Sequence, residues 1–189
     1  MTPILVVALL VAAATAGAAG GWAARARTKR TPAVRAPGAR RILLPFTGTS
    51  ISRRALEAAM RLAHAEDATI MPAYLARVPR TLPLDAALPQ QCLQAMPLLE
   101  AIEQRAAADG LVVDARIGRG RTYRDALRHV IDEEPVDRII VSATANPRLG
   151  LGSEDLHWLL AKVPAEVLIL RPGPDDHRTV SVDSVAGHF

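Results

Sequence analysis

Five short apolar runs alternate with four helical patterns through the middle of this chain, and that rhythm leaves few folds open. The runs are Ile42-Leu43-Leu44-Pro45-Phe46, Thr69-Ile70-Met71-Pro72-Ala73-Tyr74-Leu75, Leu111-Val112-Val113, Ile139-Ile140-Val141 and Val167-Leu168-Ile169-Leu170. Several are apolar without alternation, as expected of strands covered on both faces. Between them, apolar residues recur at helical spacing: Ile51, Ala55, Ala58, Ala59 and Leu62; Met96, Leu99, Ile102 and Ala106; Ala126, Leu127, Val130 and Ile131; Leu156, Leu159, Leu160 and Val163. Thr122 with Asp125 forms a capping pair, and Asp109-Gly110 ends the second helix. Ser153 is expected to cap the fourth, with Glu154 and Asp155 in its first turn. The pattern predicts an α/β, doubly wound parallel sheet with helices on both faces, joined by right-handed crossovers. Pro79, Pro83, Pro89 and, just beyond, Pro97 predict a long loop from Val78 to Gln91 leading into the second helix.

The chain begins differently. Pro3 to Ala24 is a 22-residue stretch without a charge, and a bilayer is spanned by about 20 apolar residues. Arg25, Arg27, Lys29, Arg30, Arg35, Arg40 and Arg41 follow it. Basic residues stay on the cytoplasmic side. The prediction is one transmembrane helix over 1–24, a basic juxtamembrane linker over 25–39, and a domain over 40–172 facing the cytoplasm from the inner (cell) membrane. A cleaved signal peptide is the alternative, but it places its charge before the apolar core rather than after it. After Pro172, residues 173–189 lack periodicity and read as a disordered tail.

Charge follows the same division. Seven of the 23 Lys and Arg residues, and none of the 19 Asp and Glu, lie in residues 1–41, so the remainder carries a formal −3. A nucleic-acid-binding domain would carry its own basic face, so no nucleic-acid partner is expected. The basic cluster suits membrane lipid headgroups. Cys92 is the only cysteine, which excludes an intramolecular disulfide and a cysteine-rich metal site.

Ligands on such sheets bind beyond the carboxyl ends of the strands, where strand order reverses. The segments predicted there are Thr47-Gly48-Thr49-Ser50, Gly118-Arg119-Gly120-Arg121, and the stretch from Ser142 to Ser153. Small residues let backbone approach an anion, and helix N-termini offer N–H groups to it. The same glycines also suit tight strand-to-helix turns.

Along roughly 40–171, a series of residues resembles the universal stress protein family. It comprises Arg41-Ile42-Leu43-Leu44-Pro45-Phe46-Thr47-Gly48-Thr49, Arg54-Ala55-Leu56 with Ala59, Ile117-Gly118, Asp125-Ala126-Leu127, Val136-Asp137-Arg138-Ile139-Ile140-Val141, Gly152-Ser153, and Pro164-Ala165-Glu166-Val167-Leu168-Ile169-Leu170-Arg171. The resemblance implies a five-stranded sheet in the order 3-2-1-4-5 and a homodimer formed through the last strand. Members of its ATP-binding branch carry an acid directly before the first loop's glycine, where this chain has Thr47. They also carry Gly-x-x-Gly, nine residues, then Gly-Ser or Gly-Thr. Here Ser142 and Ala145 stand at the early glycines, and only six residues, Asn146 to Leu151, precede Gly152-Ser153.

Gly118, Gly152 and Ser153 are therefore the residues left to hold a ligand. Ala145 adds a Cβ where a phosphate would approach, and Glu154 and Asp155 oppose an anion at the helix start. Arg119, Arg121, Arg124 and Arg148 could offset them, although such arginines are more often a solvated face. None of His64, His129, His157, His177 and His188 pairs at ligand spacing, and Ser153 with His157 is a nucleophile–base pair only on paper. The sequence therefore points to a membrane-tethered, non-enzymatic domain that is regulatory or ligand-sensing, with no required cofactor and a membrane protein as a further partner. The alternative is an ATP-binding stress sensor using Gly152 and Ser153. A nucleotide-dependent enzyme would need a catalytic constellation that the sequence lacks.

Overall fold

The computed structural model describes residues 40–143, 151–171 and 179–180. The apolar stretch, the linker, Ala145, Arg148 and the tail apart from Thr179 and Val180 lie outside the described residues. Strand β1 (Arg41–Phe46) leads to the two-residue β2 (Ile51–Ser52), then α1 (Arg53–Glu66), β3 (Thr69–Arg77), α2 (Pro89–Ala108), β4 (Arg116–Gly120) and α3 (Tyr123–Glu133). β5 (Arg138–Ser142), α4 (Ser153–Lys162), β6 (Glu166–Leu170) and β7 (Thr179–Val180) complete the order. Five strands form one parallel sheet, β4-β3-β1-β5-β6. Counted among themselves, they run 3-2-1-4-5. Among the described residues no helix is long and apolar enough to cross a membrane.

Period-two alternation along the central strands divides the core in two. Ile42, Leu44 and Phe46 pack with Ala55, Leu56 and Ala59 of α1 and with Leu98, Leu99 and Ile102 of α2. Leu43 joins Met71, Ala73 and Leu75 against Ala126, Leu127 and Val130 of α3 and Leu159 of α4. Each fully buried leucine or isoleucine stabilises the fold by about 1.5–3 kcal/mol. Side chains set the helix starts. Ser52 Oγ accepts from the Ala55 N–H at 3.3 Å. Thr122 and Asp125 form the expected reciprocal cap, both bonds 3.1 Å.

Charge holds the amino ends of the strands. Arg41, its side chain 9% exposed, pairs with Glu134 at 2.6 Å and Asp114 at 3.5 Å. Arg116 bonds both acids, at 2.9 and 2.8 Å. Alongside, Glu66 takes Arg138 at 2.5 Å and Arg40 at 3.1 Å. Arg40 and Arg41, the last of the basic cluster, thus belong to the domain.

Four sequence expectations need correction. The third strand is Arg116–Gly120, not Leu111-Val112-Val113. Ile70 exchanges hydrogen bonds with Val112 and Asp114, which leaves Val113 an isolated bridge. Pro72 is the next β3 residue on that side and has no N–H to continue the ladder. Pairing resumes at Ala73 with Arg116. The β3–α2 loop is shorter than expected, because Pro89 sits at the first helical position, where its missing N–H costs nothing, and Pro97 lies inside α2. The α4 cap falls on Gly152, not Ser153. Finally, Thr179–Val180, within the stretch read as disordered, pairs antiparallel with Ile51–Ser52. Among the described residues, Ile51–Ser52 has no other strand partner.

Candidate functional site

Strand order reverses between β1 and β5, so a crevice at their carboxyl ends is the natural ligand position. The loop after β1, the residues after β5 and the first turn of α4 bound it. Thr47 directly follows β1 and is buried, 8% exposed. Gly48 turns the chain with φ +70° and has open space around its α-carbon. A residue with a side chain would be strained there. Across the crevice, Leu151 and Gly152 are buried, while Ser153 is exposed.

One N–H at the start of α4 is already engaged from within. The Gly152 N–H donates to Asp155 Oδ2 at 3.0 Å. Arg124 Nε donates to the other oxygen of the same carboxylate at 2.9 Å, and Glu154 lies 3.8 Å from that guanidinium. A carboxylate therefore occupies the N–H and the cation that an incoming phosphate would seek. Sequence reasoning placed Asp155 in the first turn but missed this clasp. The signal is the spacing itself, an acid three residues after the capping position.

Gly118 is not in a loop. It lies within β4, and a Cβ there would stand 2.6 Å from Val130 Cγ2 and 2.8 Å from the Ala126 carbonyl oxygen. Close approach of α3 to the strand accounts for the glycine. Gly118 thus lies in the edge strand beneath α3, while Gly152 and Ser153 stand together at the start of α4.

The arginines are largely committed. Arg119 donates to the Asp85 carbonyl at 3.3 Å. Arg121 donates to the carbonyls of Val78 and Pro79. Together they fasten the β3–α2 loop to the sheet. Gln91 fastens its other end, its amide bonding both the N–H and the carbonyl of Arg77 at 3.1 and 2.9 Å. His129 Nδ1 meets the Arg119 carbonyl at 2.8 Å. His157 and Ser153 are both exposed on α4, and Asp155 is taken by the clasp. Among the described residues no group of three His, Cys, Asp or Glu is placed to hold a metal.

On the other side of β3, Tyr74 packs its ring 5.7 Å from that of Phe46. Burial, with smaller contributions from Tyr123 and Cys92, pushes its phenol above the ordinary 10.0.

Comparison with known proteins agrees with this architecture. Residues 38–171 match the model of the universal stress protein family. The chain belongs to that family. The universal stress protein UspA from Lactobacillus plantarum is 20% identical with a TM-score of 0.55, over 70% of this chain and 97% of that one. A universal stress protein solved in complex with cAMP is 25% identical, TM-score 0.50, over 70% and 97%. One from Archaeoglobus fulgidus in complex with dAMP is 14% identical, TM-score 0.52, over 69% and 96%. No curated protein matches the chain.

Proposed function

We propose that this protein is a membrane-tethered universal stress protein whose domain is regulatory and ligand-sensing and does not hydrolyse ATP. The observation that carries the reading is the Asp155 clasp on Gly152 and Arg124. It spends on the protein itself the groups that would otherwise hold a phosphate. Thr47 in the place of an acid, and the shorter segment before Gly152-Ser153, support the same conclusion. The uncharged stretch Pro3–Ala24 and the basic residues after it support a single span, with the domain in the cytoplasm and lipid headgroups against the linker. The edge strand β6, with Ile169 exposed, supports a homodimer through that strand.

Two experiments test the reading. Sodium carbonate should leave the chain in the membrane fraction; release into the supernatant ends the tether. Isothermal titration of ATP or ADP with magnesium should give no heat at millimolar nucleotide; micromolar binding ends the claim of a lost phosphate site.

A second reading is a nucleotide-binding stress sensor. In its favour, Gly152 and Ser153 stand at a helix start on the carboxyl edge, and relatives of the same fold were solved with cAMP and dAMP. Under it, Asp155→Ala should not tighten nucleotide binding. Under the favoured reading it should, by freeing the Gly152 N–H and the Arg124 guanidinium.

A further inference from the structure

The β3–α2 loop is the least explained surface of the domain. It should be polar, as loops are. Instead Leu82 and Leu84 are 40% and 45% exposed on it, and Leu93 on the first turns of α2 is 73% exposed. The three lie along one stretch of chain, from the β3–α2 loop into the first turns of α2. Leu82 donates its N–H to the Pro79 carbonyl, the same carbonyl that Arg121 holds. Leu84 precedes Asp85, whose carbonyl Arg119 holds. Leu93 lies two residues beyond Gln91, which ties α2 to the end of β3.

The charge on this face is mainly positive. Arg80 is exposed on the loop, and Arg119 and Arg121 donate to backbone carbonyls rather than to acids. The acids at this end are Asp85, exposed on the loop, Asp125 in the α3 cap, Glu57 paired with Arg53, and Glu154 and Asp155, which face Arg124 at the start of α4. By contrast, Glu66, Asp114, Glu134 and Glu166 gather at the opposite, amino edge. Exposed leucines beside arginines complement a surface that is apolar beneath and anionic above, which is the interface of an acidic bilayer.

We propose that the face formed by Leu82, Leu84, Leu93, Arg80, Arg119 and Arg121 is a contact surface for an anionic phospholipid bilayer. It rests on the tether reading for nearness to the bilayer. A 15-residue linker such as 25–39 reaches at most about 50 Å, beyond the roughly 30 Å length of a 20-residue helix. Either edge of a domain this size therefore lies within reach of the surface.

Cys92, the only cysteine and adjacent to Leu93, gives a direct test. The full chain, labelled there with bimane, is reconstituted into phosphatidylcholine vesicles with or without phosphatidylserine, each doped with nitroxide lipid. The expected result is quenching in the phosphatidylserine vesicles that high salt relieves. The docked-to-free ratio should fall about five-fold in Arg80→Gln, the factor for one basic residue near an anionic surface. A label on the amino edge (Cys92→Ser with Val112→Cys) should remain unquenched.

Absence of Cys92 quenching in both vesicles overturns the proposal. So does equal quenching with and without phosphatidylserine, or equal quenching of the two labels. Self-quenching that grows with protein density would instead assign the face to a second copy, and quenching only on addition of an acidic peptide to a peptide partner. Flotation with phosphatidylcholine vesicles reports the tether separately. A chain that floats only with phosphatidylserine, its Cys92 label quenched, would end the tether reading and keep this one.

Discussion

Gly118 and Gly120 distinguish a packing role from an anion cradle, and the structure gives the size of the effect. Alanine at Gly118 would put its Cβ 2.6 Å from Val130 Cγ2 and 2.8 Å from the Ala126 carbonyl oxygen. At Gly120 the added carbon would meet the Ala126 nitrogen and stand 2.7 Å from the Asp125 carbonyl carbon. Ordinary carbon contacts need about 3.5 Å, so α3 must withdraw by roughly 0.7–1 Å at Gly118 and by more at Gly120, and a gap of that order forfeits a quarter to a half of the local dispersion energy. The withdrawal loosens Leu127 and Val130, both buried. A quarter to a half of their combined burial energy is about 1–3 kcal/mol, the usual cost of overpacking. Gly120→Ala should fall at the upper end, because both of its obstacles are backbone. Urea unfolding of a fragment covering Pro37–Phe189, followed by far-ultraviolet circular dichroism, measures this. The control is Gly48→Ala, with nothing within 4 Å, which should cost about 1–2 kcal/mol through its left-handed backbone alone. If both β4 variants stay within about 0.5 kcal/mol of the parent, the packing account of these glycines is wrong.

Three further outcomes follow from the same structure. Hydrogen bonds from Arg138 and then Arg40 hold the Glu66 carboxyl below its ordinary 4.5, against a smaller opposing effect of burial. A lowered folded-state value contributes stability that is present above the unfolded value and lost as pH falls through the folded one. The gap in urea midpoint between parent and Glu66→Gln should therefore be full at neutral pH and close below 4.5; a gap that persists in acid would refute this. Burial raises the Tyr74 phenol above 10.0, so above that pH the unfolded chain ionises first and stability falls. Tyr74→Phe should abolish that part of the alkaline loss while changing neutral stability by less than about 0.5 kcal/mol, because its hydroxyl makes no hydrogen bond among the described residues. Glu134→Ala leaves Arg41 with Asp114 at 3.5 Å. Breaking a buried pair costs about 3–5 kcal/mol; with Glu134 26% exposed, about 1–3 kcal/mol is expected, read from the same unfolding curves.

The sequence carried the alternation of strand and helix because hydrophobic period reports burial, and the central strands are buried on both faces. It misplaced the third strand for the same reason. β4 reads Arg-Ile-Gly-Arg-Gly, which hydropathy assigns to a loop, since it lies at the sheet edge and yields side-chain volume to α3. Leu111-Val112-Val113 looked more strand-like, yet Val112 is 57% exposed and Pro72 breaks the ladder it would need. At the candidate site, Gly152, Ser153 and Asp155 were all visible as residues. The clasp that makes Asp155 a competitor for phosphate was not, because Arg124 lies 31 residues away and only the fold brings it there. The ladder between Ile51–Ser52 and Thr179–Val180 was equally hidden, since two-residue strands leave no period to read.

That ladder carries the described domain past the stretch that matches the family. The likeness to the family ends at residue 171, but the hydrogen-bonded chain continues to Val180, which pairs with Ile51. Ser52, its neighbour, also caps α1, so the terminal strand leans on the residue that starts the first helix and closes the loop after β1. Cutting at 171 on grounds of likeness would leave that loop with a bare strand edge. A tag or fusion joined there would take the place of the strand that pairs with Ile51–Ser52.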